Sequence, residues 1–395
     1  MVLIAAIQWI LGPHQSYNYN YQHFKYYMYV GRLEYMQVIV PGTIAFGAGV
    51  LFFYPKLDFQ RVNKGLMDLV AANPNLPIVL IVIGILSSFL INLLPPAFSF
   101  VIFLMSNFRF VGAALWLFKA TRVNTLISRI AIIGLILLSS VQAGMFHELL
   151  LWSALLLSFV VLRFQLGIYW RLVLVLFGFS LAFLIQSVKA EYRDIIYSGL
   201  ESRTSTTEVF ADLVEDRLKN LNTLLSNEAF LAEMNVRLNQ GWIISAIMKN
   251  VPNNQPYAEG ETIVEAVKAS FLPRFLAPGK KIAGGRENFE IFTGLKLNKN
   301  ASMGISIIGE AYANFGREGS WVFMFFWGAF MAWGLGRLVK SGEKQVIIFV
   351  FIPLIFLQVI KAETELYVVL NHFVKSTILV VVFLWGGRKI LNWKV

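Results

Sequence analysis

The chain has 395 residues, 57% hydrophobic and 14% charged, against roughly 25% charged in an ordinary soluble domain. A soluble core cannot absorb that much apolar surface, and although the net charge is +11, which in a soluble protein would point to nucleic acid, its placement here matters more than its sum. There is no cysteine, which excludes disulfides, thiolate nucleophiles and Cys-ligated metals.

Met1-Val-Leu-Ile-Ala carries no basic n-region and no small-residue cleavage site follows, so no cleavable signal peptide is expected. A membrane-spanning helix needs roughly 20 mostly apolar residues. Candidates fall at about 1–12, 35–54, 77–95, 98–118, 127–146, 148–163, 169–188, 320–338, 345–360 and 370–387, the first of them short. Alternating them places fourteen basic residues on one side: Lys56, Arg61, Lys64, Lys119, Arg122, Arg129, Arg163, Arg171, Arg337, Lys340, Lys344, Arg388, Lys389 and Lys394. The short connections on the other side hold three, Lys25, Arg32 and Lys361. The positive-inside rule then puts both termini in the cytoplasm and residues 189–319 outside.

The expected fold is therefore an all-α polytopic membrane protein of about ten spans. Residues 1–188 form an N-terminal bundle of about seven helices, 189–319 a large helical extracytoplasmic loop, and 320–395 a C-terminal bundle of about three. The outer segment is too long for a simple connector. There is no internal repeat, and no matching pair of Gly/Pro-broken helices such as inverted-repeat transporters carry.

The outer segment opens with Ser205-Thr-Thr-Glu208, a capping-box pattern, and continues with Phe210, Leu213, Val214, Leu218, Leu221 and Leu225 at helical spacing. This predicts an amphipathic helix lying on the membrane or on the bundle. Residues 189–236 hold five basic and nine acidic residues, net −4; residues 237–317 hold ten and six, net +4. The second half is the place for an anion. Its Arg237, Arg274 and Arg286, interleaved with Tyr257, Phe271, Phe289 and Phe292, combine guanidinium forks suited to phosphate with rings suited to sugar faces. For any single lysine of this stretch a solvated surface role is the simpler reading.

Gly309-Glu310-Ala-Tyr312-Ala-Asn-Phe-Gly316-Arg317 runs straight into the span that starts near Trp321. It places a carboxylate and a phenol near the outer surface. A sugar hydroxyl is a poor nucleophile until a base takes its proton, and Glu310 in a partly apolar setting suits that task; capping a helix start or pairing with Arg317 is the alternative.

Four stretches carry a resemblance: Arg237-Leu-Asn-Gln-Gly; Val251-Pro with Pro256-Tyr-Ala-Glu-Gly-Glu-Thr262; Phe271-Leu-Pro-Arg274; and the Gly309–Gly316 run. In this order they resemble the outer loop of the O-antigen (Wzy-type) polymerases of oligosaccharide repeat units. Gly12-Pro-His-Gln-Ser-Tyr17 through Tyr35 is loosely similar to the start of that family. The resemblance implies a metal- and cofactor-independent transfer at the outer face of a bacterial inner membrane, in which a glycan on undecaprenyl diphosphate moves onto the next lipid-linked repeat. It implies that Arg237 and Arg274 hold the diphosphate and Glu310 is the acceptor base. Arg286, Tyr257, Tyr312 and Arg317 are further candidate substrate-binding residues, and membrane lipids and a chain-length regulator are candidate partners. The outer segment contains no Asp-x-Asp pair to hold a metal on a diphosphate, so cationic side chains would stabilise the leaving group.

Arg109, in mid-span, is expected to face a cavity or a partner. His147-Glu148, in a tight outer turn, offers a base or a polar cap. His14, His23, His147 and His372 all fall on the outer side, where interfacial anchoring is simpler than a shared metal. Lys361, Glu363 and Glu365 form a solvated outer loop or line an acceptor entrance. The tyrosines at 17, 19, 21, 26, 27 and 29 form an interfacial belt or stack on glycan rings. Rival readings are an O-antigen ligase, a transporter or flippase of the lipid-linked sugar, for which Arg109 and Lys375 are the mid-span basic candidates, and a non-enzymatic scaffold.

Overall fold

The structure, a computed structural model, describes residues 1–91, 93–119, 133–134, 146–198, 206–271, 285–298, 301–390 and 393. Every regular element among them is helical. Among the described residues five helices are long and apolar enough to cross a membrane: Arg32–Phe52, Phe98–Trp116, Ile168–Lys189, Ile307–Lys344 and Leu366–Lys389. A sixth would be the pair Phe59–Ala72 and Leu76–Leu90, bent by 84°. The ten expected segments map onto these elements unevenly. The one at 127–146 lies almost wholly outside the described residues, 148–163 is the shorter apolar helix Leu149–Phe164, and 345–360 contains the eight-residue helix Ile348–Ile355 with Pro353 inside it. A proline in a helix interior removes one hydrogen bond and crowds the preceding turn, which favours a short element.

The chain divides into two compact units. The first comprises Met1–Leu57, Glu228–Lys344 and Ile352–Gly386; the second comprises Asp58–Asn227, Gln345–Phe351 and Gly387–Val395. The outer segment expected at 189–319 is thus shared between them, and the boundary near residue 227 lies close to where its charge changes sign.

In the first unit, Arg32–Phe52 packs along the chain that follows Ile307. Two glycines make the approach possible. A Cβ on Gly49 would lie 2.1 Å from the Phe325 carbonyl oxygen, and one on Gly328 would lie 2.3 Å from that of Phe46. Backbones that meet this closely gain dispersion contacts no larger residue permits, the usual way apolar helices associate in lipid. The run Ile307–Lys344 is two helices joined at Gly316, whose φ of 68° and ψ of −160° are non-helical. Only glycine adopts that conformation cheaply, and Tyr257 Oη lies 3.1 Å from where its Cβ would be. The break separates Ile307–Phe315, which carries Glu310 and Tyr312, from the apolar stretch beyond it.

In the second unit, Asp58 caps the helix Phe59–Ala72 by accepting from the Gln60 and Arg61 N–H groups, both at 3.0 Å. Residues 55–76, expected as a basic connection, are thus largely an amphipathic helix burying Val62, Leu66, Leu69 and Val70. The amphipathic helix predicted from the capping box is Thr206–Lys219; Ser205 itself lies outside the described residues. Its Val209, Phe210 and Leu213 pack on Leu149, Ile185 and Tyr192, and Arg217 pairs with Glu191.

Candidate functional site

The site in the first unit is built on two clasps, each joining stretches that the sequence keeps far apart. In the first, the helical segment ending at Ser16 meets the end of the helix Glu228–Leu238. Asn235 and Asn239 Nδ2 both donate to Ser16 Oγ, at 2.7 and 2.6 Å, and the Gln240 N–H donates to the Gln8 carbonyl at 3.1 Å. All three side chains of the Asn–Ser–Asn group are buried, so their hydrogen bonds are formed out of competition with water. Asn239 Oδ1 then accepts the Trp242 N–H at 3.1 Å and fixes the start of the next helix, Gly241–Asn250.

In the second clasp, the loop at 257–262 docks on Ile307–Phe315. The Ala258 and Glu259 N–H groups donate to the Ala313 and Asn314 carbonyls at 3.0 and 3.2 Å. Buried Asn314 accepts the Gly260 N–H at 2.9 Å and donates to Thr262 Oγ1 at 2.8 Å. Tyr257 and Tyr312 meet at 6.4 Å between ring centroids. Stretches singled out in the sequence therefore bind one another: Gly12–Ser16 with Arg237–Gly241, and Tyr257–Thr262 with Gly309–Gly316.

The loop at 361–365 is pinned at three points. The Ala362 carbonyl accepts from Trp9 Nε1 at 3.0 Å and from Ser306 Oγ. Glu365 Oε2 accepts from Asn288 Nδ2 at 3.0 Å. Glu310, 2% exposed, accepts the Leu366 N–H on Oε2 at 2.7 Å, satisfying an N–H at the start of the helix Leu366–Ile390.

The first clasp and the pinned loop border a cleft of about 470 Å³. Its wall includes His23 and Tyr26, Glu233, Trp242, and Lys361 with Glu363. Tyr26 and Trp242 lie 4.9 Å apart, and His23 stacks on Tyr26 at 5.1 Å and on Phe24 at 4.5 Å. Burial pushes the His23 imidazole below its ordinary value; Glu233 opposes that and the Lys25 ammonium adds to it. His23 is therefore neutral at pH 7.

The sequence-derived candidates are distributed as follows. Arg237 stands on the helix Glu228–Leu238, one residue past the cleft-lining Val236, but its side chain, like the whole of Arg274, lies outside the described residues. Glu310 and Tyr312 are buried and are not part of the cleft wall, and Tyr257 lies on the docked loop with Tyr312. Arg286 pairs with Glu290 at 3.0 Å and donates to the Leu297 carbonyl at 2.8 Å. The Leu297 N–H, and then Arg286, hold the Glu290 carboxyl below the usual carboxylate range. Arg317 lies over the Trp321 ring at 5.4 Å rather than within salt-bridge distance of Glu310. Arg109 belongs to the second unit, where it donates to Ser88 Oγ at 3.1 Å and covers the Phe110 ring at 4.7 Å. His147 falls in the first turn of the helix Phe146–Phe164; its side chain lies outside the described residues. Of the other histidines, His14 meets Arg32 at 3.1 Å and His372 meets the Leu354 carbonyl at 2.8 Å. Lys375 donates to Asn371 Oδ1 at 2.5 Å.

Sequence reasoning missed Glu233, Trp242 and Asn235, and gave no role to Ser16 and Asn239 within the stretches it singled out. The asparagines had a signal: Asn235 and Asn239 at i, i+4 mark one polar stripe.

Comparison with curated proteins and with solved structures finds no match. A family described as a domain of unknown function matches residues 17–338, from the aromatic stretch through the Asn235–Gly241 side of the first clasp and the whole of the second, and into the apolar helix beyond Gly316. The chain belongs to that family, DUF8712.

Proposed function

We propose that the chain is a glycosyltransferase of a bacterial inner membrane that extends a polysaccharide by moving a glycan from undecaprenyl diphosphate onto another lipid-linked repeat. It is read as crossing the membrane about ten times, with both termini cytoplasmic and the cleft outside. One observation carries the reading: stretches that resemble the oligosaccharide polymerases pair with one another, and two of them, through His23, Tyr26 and Gln240, line a cleft of sugar size together with Trp242, Glu233 and Glu363. Pockets of a few hundred Å³ with a few convergent polar groups are the usual place for a small-molecule unit.

In this reading Arg237 and Arg274 hold the diphosphate. The acceptor hydroxyl oxygen attacks the anomeric carbon, the bond to the diphosphate oxygen breaks, and undecaprenyl diphosphate leaves with its charge on the guanidinium groups. The hydroxyl proton goes to a carboxylate within hydrogen-bond reach. Glu233 and Glu363 line the cleft and are open enough to receive it. Glu310 contributes by holding Leu366 and so the loop that carries Glu363.

The test uses purified chain in liposomes with a synthetic lipid-linked repeat and no lipid A core. Extension to a ladder with release of undecaprenyl diphosphate supports the polymerase. Transfer only after core is added makes the chain a ligase, and movement of the lipid across the bilayer without covalent change makes it a transporter.

A further inference from the structure

Two chemistries line the cleft. One is aromatic: Trp242 is buried in the wall, Tyr26 lies tilted against it, and His23 stacks on Tyr26. The other is ionic: the exposed Glu233 and half-buried Glu363 stand against the ammonium of Lys361. With His23 neutral, the described wall is net negative.

Each chemistry excludes a class of ligand. A purely apolar group, such as the lipid tail, would strip water from several ionised groups and return nothing. An anion would meet the net negative wall, and like-charge juxtaposition is costly. A sugar ring satisfies both, offering C–H faces to the rings and hydroxyl or ammonium donors to the carboxylates. The loop bearing Lys361 and Glu363 is pinned through Ala362, Glu365 and Leu366, so these charges are held in place before a ligand arrives, which lowers the cost of binding.

We infer that this cleft binds an uncharged or amino-bearing sugar unit and discriminates against an acidic one such as a uronic acid. The inference rests on the reading of the chain as acting on a lipid-linked glycan, and adds the charge class of sugar that it accepts.

The test is equilibrium binding to the full chain in nanodiscs at low ionic strength. Three probes of equal length are compared: the N-acetylglucosamine trimer, the glucosamine trimer and the galacturonic acid trimer. The first two are expected to bind, with the acidic trimer weaker by about tenfold or more. The gap should close in the double variant Glu233→Gln, Glu363→Gln and shrink in high salt. Both glutamates are at least partly exposed, so the variant keeps its fold. Equal or tighter binding of the acidic trimer, or no binding of any trimer, overturns the inference. Selective binding by a preparation that extends no lipid-linked repeat would keep the inference and sink the polymerase. Efficient extension of acidic and neutral repeats alike would do the reverse.

Discussion

The buried carboxylate of Glu310 accepts the Leu366 N–H and so fixes the start of the last helix and the end of the cleft loop. A base must be open to the hydroxyl it deprotonates, and at 2% exposure this one is turned inward. Glu310→Gln keeps an acceptor oxygen and is expected to retain glycan extension within about threefold, a change well below what general-base loss costs. Glu310→Ala leaves the Leu366 N–H without that acceptor and should lower stability by about 1–3 kcal/mol in thermal unfolding. A Gln variant that melts like wild type yet extends nothing would restore Glu310 as the base. The sequence made the Gly309–Gly316 run visible because it gathers polar residues at the edge of an apolar segment. It hid what Glu310 does, since its partner is a backbone group 56 positions away. Asn314 was hidden in the same way: only the fold brings Gly260 and Thr262 to it.

Helix by helix, hydropathy located what it measures. The spans expected at 35–54, 98–118, 169–188 and 370–387 coincide with long apolar helices, because bilayer thickness imposes a length that a window can detect. It missed the helix Phe59–Ala72, whose apolar residues lie on one face and average out along the chain. It also missed the break at Gly316, which divides the site-bearing turn from the span after it. The close approach of Arg32–Phe52 to the helix beyond Gly316 rests on single glycines that composition does not rank. Gly49→Ala would drive a methyl group to 2.1 Å from the Phe325 carbonyl oxygen, whereas at Gly47 it would meet only a Val2 methyl at 3.5 Å. Gly49→Ala is therefore expected to cost about 1–3 kcal/mol through overpacking, and Gly47→Ala nothing measurable, in parallel melts of detergent-solubilised protein. Equal behaviour of the two would contradict this packing.

Across the whole chain, the charge asymmetry of the short connections predicts a topology that labelling can test, and the absence of cysteine provides a clean background. A cysteine at Asn253 should react with a membrane-impermeant maleimide in intact cells whose outer membrane has been made permeable. One at Lys340 should react only after lysis, and the opposite pattern would invert the orientation. The charge division of the outer segment was legible as a change of sign, but that it falls near the boundary between two compact units was not. The boundary depends on which distant segments return to each unit, and return is a long-range property. The central claim, that the chain extends a lipid-linked glycan whose diphosphate Arg237 and Arg274 hold, is tested most directly in a polymerase-deleted host with a matched glycan pathway. That host is complemented with wild type, Arg237→Ala or Arg274→Ala, and membrane levels are checked by blot. Long-chain glycan from wild type, with equally abundant arginine variants halted at one repeat unit, is the predicted result; arginine variants that extend as wild type does, or a wild type that restores no ladder, would contradict it.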